Sequence, residues 1–271
     1  MRRILFSVFV SLLLFVSALA HEFWIQPAAF FVKAGTAVSL NILVGENFNG
    51  ERWEARKSRI ARYRHFSATG ETDLMSEVQT EAMPNQTLRL TSAGTHLVAL
   101  ANTNKFIELD RDKFLAYLRE DGLDNAIAAR KQRGETGKKG REHYRRCVKT
   151  LIQAGDTRDQ TFAQNAGMPL EIMPLQNPYA QRPGQMAEFE ILFEQKPLAG
   201  ALVRYWNRSS RGLLTVEKQR SDSRGRVRFR LRAGGNMVSL VNMVPYEKTS
   251  EADPEPADWQ SYWGSLTFGC R

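Results

Sequence analysis

The sequence predicts a mainly β protein, two β-sandwich domains joined by a short helical connector, and three observations carry that expectation. Alternating apolar runs fill both ends of the chain, turns bearing Gly and Asn separate them, and one basic segment in between shows helical spacing instead. The first twenty residues stand apart. Arg2 and Arg3 precede an apolar run from Ile4 to Leu19, and Ala18 and Ala20 supply the small residues of a cleavage site. The expected product is a periplasmic or secreted protein cut at Ala20-His21, with no later apolar run that would make it an integral membrane protein.

From His21 to Leu109 the text is strand-like. Ala37–Val44 and Thr95–Ala101 alternate between turns, and Thr87–Thr91 followed by Gly94 reads as a further strand. This segment, 21–109, is expected to form the N-terminal sandwich. Residues 110–154 read as a basic helical connector: Phe114, Leu115 and Leu118 share a face, Gly122 ends one helix, and Asp124 caps another that runs to Gly134. After Gly155 the strand grammar returns, so 155–271 is expected to form the C-terminal, immunoglobulin-like sandwich. Its Arg226–Arg232 run points Val227, Phe229 and Leu231 inward and presents Arg226, Arg228, Arg230 and Arg232 as a solvated stripe. The segment from Glu247 to Asp258, with Pro254 and Pro256, reads as an acidic surface loop before a final aromatic strand.

The formal net charge is +9, and removal of the leader takes away Arg2 and Arg3. An exported chain seldom meets nucleic acid, so the excess points to solubility or to an anionic polymer, membrane surface or partner protein. Two cysteines occur, Cys147 and Cys270, and an oxidising compartment permits them to pair. The sequence lacks Cys-x-x-Cys, His-Glu-x-x-His, Gly-x-Ser-x-Gly and a phosphate-binding Gly-Lys-Ser/Thr loop, which argues against the enzymes those motifs mark.

The most informative chemistry is created by processing. Cleavage after Ala20 gives His21 a free α-amine beside its imidazole Nδ1, a two-nitrogen chelate suited to Cu, Ni or Zn. The chain has four histidines. His96, in an expected strand, and His65 are the candidate completing ligands. His143, within the basic Arg141–Arg146 run, is expected to be exposed, and Met237 and Met243 are expected to pack in the core.

Several stretches together resemble a bacterial family of exported proteins of unknown function, grouped with periplasmic accessory components of nickel and cobalt uptake. They are His21–Pro27, Gly45–Phe48, Phe114 with Tyr117-Leu118 and Gly122-Leu123, Arg141–Tyr144 with Lys149, Pro169–Pro174 with Asn177–Tyr179, Pro197–Gly200, Ser261–Trp263 and Leu266–Phe268. The resemblance implies a histidine at the mature start, which His21 satisfies. It also implies Val-His-Met near the end, where this chain has Val241-Asn242-Met243. The second half further resembles the carboxypeptidase-regulatory type of sandwich, a scaffold that binds without catalysing.

Three functions follow as expectations. The first is a non-enzymatic periplasmic accessory protein that binds a transition metal for uptake or handling, with a membrane uptake system or another envelope protein as partner. The second is an envelope β-sandwich module for an anionic polymer or partner protein. The third is a copper oxidase resembling lytic polysaccharide monooxygenases, which also begin with a metal-binding histidine.

Overall fold

The computed structural model describes residues 22–53, 56–78, 86–247 and 255–271. The leader, His21 and most of the acidic 247–258 loop lie outside the described residues. The first half contributes β1 (Glu22–Pro27), β2 (Phe31–Val32), β3 (Ala37–Glu46), β4 (Asn49–Arg52), β5 (Ile60–Ser67), β6 (Gly70–Asp73), β7 (Gln86–Arg89), β8 (Gly94–Asn102) and β9 (Lys105–Leu109). Two helices follow, α1 (Arg111–Glu120) and α2 (Asp124–Gln132), and then β10 (Gly140–Ala154). The second half contributes β11 (Leu170–Pro174), β12 (Met186–Phe193), β13 (Lys196–Pro197), β14 (Leu202–Arg208), β15 (Leu214–Arg220), β16 (Arg226–Arg230), β17 (Gly234–Pro245) and β18 (Trp259–Cys270).

The protein is mainly β, as its alternating pattern requires, but the strands are not divided into two separate sandwiches. One ten-stranded sheet runs β15-β14-β17-β18-β10-β8-β5-β6, with β2 and β9 also on β10, so strands from both halves share it. A sheet of β1, β3, β4 and β7 covers one face, and a sheet of β11, β12, β13 and β16 covers the other. Side-chain parity builds both layers. In β8 and β10, Leu97, Ala99, Cys147 and Leu151 enter the core beneath β11 and β12, while Val98, Leu100, Val148 and Ile152 enter the core beneath β1 and β3. All nine residues of β8 are buried, as a strand covered on both faces demands.

The connector is therefore corrected. It is helical over Arg111–Gln132, but residues 140–154 form the strand at the centre of the shared sheet, parallel to β18 from Glu142↔Trp259 to Thr150↔Thr267. Charge density misled the reading, because Lys149 is buried and ion-paired rather than solvated. The helices otherwise follow the expected punctuation. Gly122 (φ +64°) and Gly134 (φ +66°) take left-handed conformations just past α1 and α2. Tyr117, rather than Leu115, joins Phe114 and Leu118 on the buried face. Asp124 opens α2 and binds Arg220 at 2.6 Å instead of capping it.

His143, expected to be exposed, is buried. It lies within β10, its Nε2 is 3.0 Å from the Glu255 carbonyl, and Phe106 and Tyr246 pack against its ring. Cys147 and Cys270 are buried free thiols. Register explains why they do not pair: Cys147 sits opposite Gly264, which leaves Cys270 six residues, roughly 20 Å, further along β18. The arginine stripe lies on the outer face of β16, where Arg226 and Arg228 meet Glu188 and Arg232 meets Glu217; Val227, Phe229 and Leu231 are buried as expected.

Candidate functional site

Of the histidines singled out by sequence, the fold brings His65 and His96 together. β5 pairs antiparallel with β8 so that His65 faces Val98, which makes His96 its diagonal neighbour on the same face. The ring planes are within 10° of parallel, and the rings meet edge to edge, with His65 Nε2 2.8 Å from His96 Nδ1. The tautomers follow from one carbonyl. His96 Nε2, 3.0 Å from the Ser92 oxygen, must donate to it, so His96 Nδ1 accepts the Nε2–H of His65. Burial and the neighbouring His96 push the His65 pKa down to about 4, and burial also lowers His96, so both are neutral at pH 7. This bonding leaves one imidazole lone pair, His65 Nδ1, for an ion.

The pair is remote from the start of β1. Glu22 faces Gly45 at one end of β3, whereas the Ser92–His96 turn follows Leu90, which bonds Gly35 and Thr36 just before the other end. The ten residues of β3 that intervene span about 30 Å. Asn242, where the family resemblance implies histidine, shares strand parity with Val238 and Leu240, on the face of β17 opposite that of Ser239 and Val241.

Near the start of β1, Glu22 and Asp121 interact, and hydrogen bonds lead from Trp263 through Ser261 to a third carboxyl group, Glu142. Glu22 lines a small pocket with Phe23, Arg204, Ser239, Val241 and Trp263. Hydroxyls of β18 hold β1 in place: Ser265 and Thr267 donate to the carbonyls of Phe23 and Ile25 at 2.7 and 2.6 Å. At the C-terminal end of α1, Arg204 bonds Asp121 Oδ1 at 2.5 Å and the Glu120 carbonyl at 2.7 Å, which places a cation where the helix presents its unpaired carbonyls. Glu142, on β10, accepts from Tyr117 at 3.2 Å and from Ser261, while Trp263 donates to Ser261 and stacks on Tyr117.

Among the described residues two carboxyl oxygens have no partner, Asp121 Oδ2 and Glu142 Oε2, both buried. Burial raises the pKa of Glu22 and of Glu142 to about 7 and that of Asp121 to about 6, the last despite Arg204. Among the described residues no three His, Cys, Asp or Glu side chains converge as a metal site. The set is chemically suited to holding protons near neutrality and to attracting a cation. Sequence reasoning missed Asp121, Glu142 and Arg204, although Tyr117, Glu142, Ser261 and Trp263 all fall within stretches that carry the family resemblance.

A raised carboxyl pKa makes a signed prediction. The folded protein keeps the Glu142 proton that the unfolded chain releases near pH 4.5, so this contribution to stability is complete below pH 4.5 and lost as pH rises through 7. Glu142→Gln is expected to remove on the order of 3 kcal/mol of pH dependence and to leave the variant more stable than the parent at pH 8. Urea unfolding at pH 5 and pH 8 measures it, and an unchanged difference between the two pH values contradicts it.

A domain of unknown function, DUF4198, matches residues 18–243. Among curated proteins there is no match. A solved structure of three N-terminal domains of the bacteriophage RB49 highly immunogenic outer capsid protein aligns at 11% identity, over 92% of this chain and 59% of that one. Its TM-score of 0.19 is too low to carry a fold argument. The matched span takes in β1, both helices and most of β17, and the chain belongs to the DUF4198 family.

Proposed function

We propose that the chain is exported, cleaved after Ala20, and serves as a non-enzymatic envelope protein that binds a divalent transition metal for uptake or handling. The α-amine and imidazole of His21 are the primary ligands, and a Lewis-acidic ion held there is cargo rather than catalyst. One observation carries the reading. Trp263, within a stretch that resembles the nickel- and cobalt-associated family, lines the pocket of Glu22, the residue next to His21; Asp121, which interacts electrostatically with Glu22, presents a bare, buried oxygen, and Glu142, joined to Trp263 through Ser261, presents another. Uncompensated carboxylate oxygens favour a nearby cation. His65 and His96 contribute elsewhere, as a hydrogen-bonded pair. Copper is expected to bind more tightly than nickel or cobalt in vitro, whichever ion is carried in the cell.

The test is calorimetric titration of Cu(II) and Ni(II) into two full-length mature chains, one beginning at His21 and one extended by a single alanine. Burying the amine in a peptide bond is expected to weaken binding by about 100-fold, or 2.7 kcal/mol. Equal affinities remove the chelate, and with it the metal reading.

A further inference from the structure

A second site, independent of the metal reading, opens between the N-terminal strands and β10. It is a cleft of about 580 Å³ whose nine lining residues include Trp53, Arg56, Arg59, Lys105, Tyr144 and Arg146. That volume is ample for a small molecule. Four of the nine residues are cationic and none is acidic. Among the described residues none of the four cations has a carboxylate partner, in contrast to the arginine stripe, where Glu188 and Glu217 compensate the charge.

Arg146 is the informative member. Its guanidinium lies 4.4 Å over the Phe23 ring and 5.3 Å from the Tyr144 ring, and its buried Nε has no hydrogen-bond partner among the described residues. Asn102 fixes the strand beneath it by accepting the Arg146 backbone N–H at 2.6 Å. Two aromatic faces thus hold a desolvated guanidinium at a cleft where three other cations repel it. We propose that this cleft binds a phosphate-bearing ligand. A phosphate group concentrates two negative charges on one centre and matches the guanidinium fork, so one group compensates several cations at once.

The test uses the full mature chain in EDTA, which excludes metal-bridged phosphate. Pyrophosphate is titrated by calorimetry against the wild type, against Arg56→Gln/Lys105→Gln and against the stripe control Arg228→Gln/Arg230→Gln. The first double variant alters two exposed side chains and so preserves the fold. It is expected to weaken binding at least 10-fold, with affinity falling as salt rises, while the control binds as wild type. Co-sedimentation with phosphatidylglycerol vesicles separates the sources: vesicle binding lost in the cleft variant marks a lipid headgroup, and pyrophosphate binding without vesicle binding marks a soluble ligand. The proposal is overturned by absence of saturable binding to either probe, by equal losses in the stripe control, or by citrate binding more tightly than pyrophosphate.

Discussion

Glu171→Gln is expected to destabilise the protein by about 3–5 kcal/mol, because it strands a lysine charge in the core between two sheets. Lys149 Nζ lies 2.6 Å from Glu171 Oε2 and 3.3 Å from Met173 Sδ, and the paired side chains are 1% and 0% exposed. Glu171 Oε1 also accepts the Met168 backbone N–H at 2.9 Å, an acceptor that glutamine retains. The pair joins β10 of the shared sheet to β11 of the outer layer. Its loss is therefore felt across a layer boundary, where the ammonium is buried away from solvent. Lys149→Met in the Glu171→Gln background removes the stranded charge and is expected to recover most of the loss. Urea unfolding of the two single variants and the double measures the coupling; additive effects contradict it.

Gly140→Ala is expected to cost about 2–3 kcal/mol through overpacking. A β-carbon at residue 140 would lie 2.2–2.4 Å from three atoms of the Phe114 ring, which is fully buried and carries Arg130 4.9 Å above its centroid. The ring cannot retreat without displacing α1 from β10. Phe114→Leu in the same chain makes room and is expected to restore part of the stability. A thermal scan in which Gly140→Ala unfolds with the wild type contradicts the packing.

These two positions show where sequence was informative. Alternation exposed nearly every strand of the outer layers, and the parity of Val227, Phe229 and Leu231 was plain because their strand is covered on one face only. β10 was obscured for the opposite reason. Its charged residues are neutralised by partners distant in sequence, Lys149 by Glu171 and Arg141 by Asp258, so they read locally as solvent-facing. The helices were legible from Gly122 and Gly134, whose positive φ angles are local requirements. That the halves share a sheet was not, since parallel pairing of β10 with β18 spans more than a hundred residues of chain.

The site was legible only in part. His65 and His96 could be named, but their mutual hydrogen bond depends on the register of β5 on β8. Asp121 looks like an ordinary surface acid until the end of α1 is buried near Glu22, and Glu142 until β10 buries it against Tyr117 and Ser261. The four cations around one cleft come from three separated segments, 56–59, 105 and 146, and have no signature in any one of them.

The claim on which the functional account depends is that residue 21 becomes the first residue of the mature protein. Intact mass of the protein recovered from the cell envelope measures this directly. The account predicts a chain shortened by its twenty leader residues and beginning at His21; a chain that retains the leader, or begins at another residue, contradicts it.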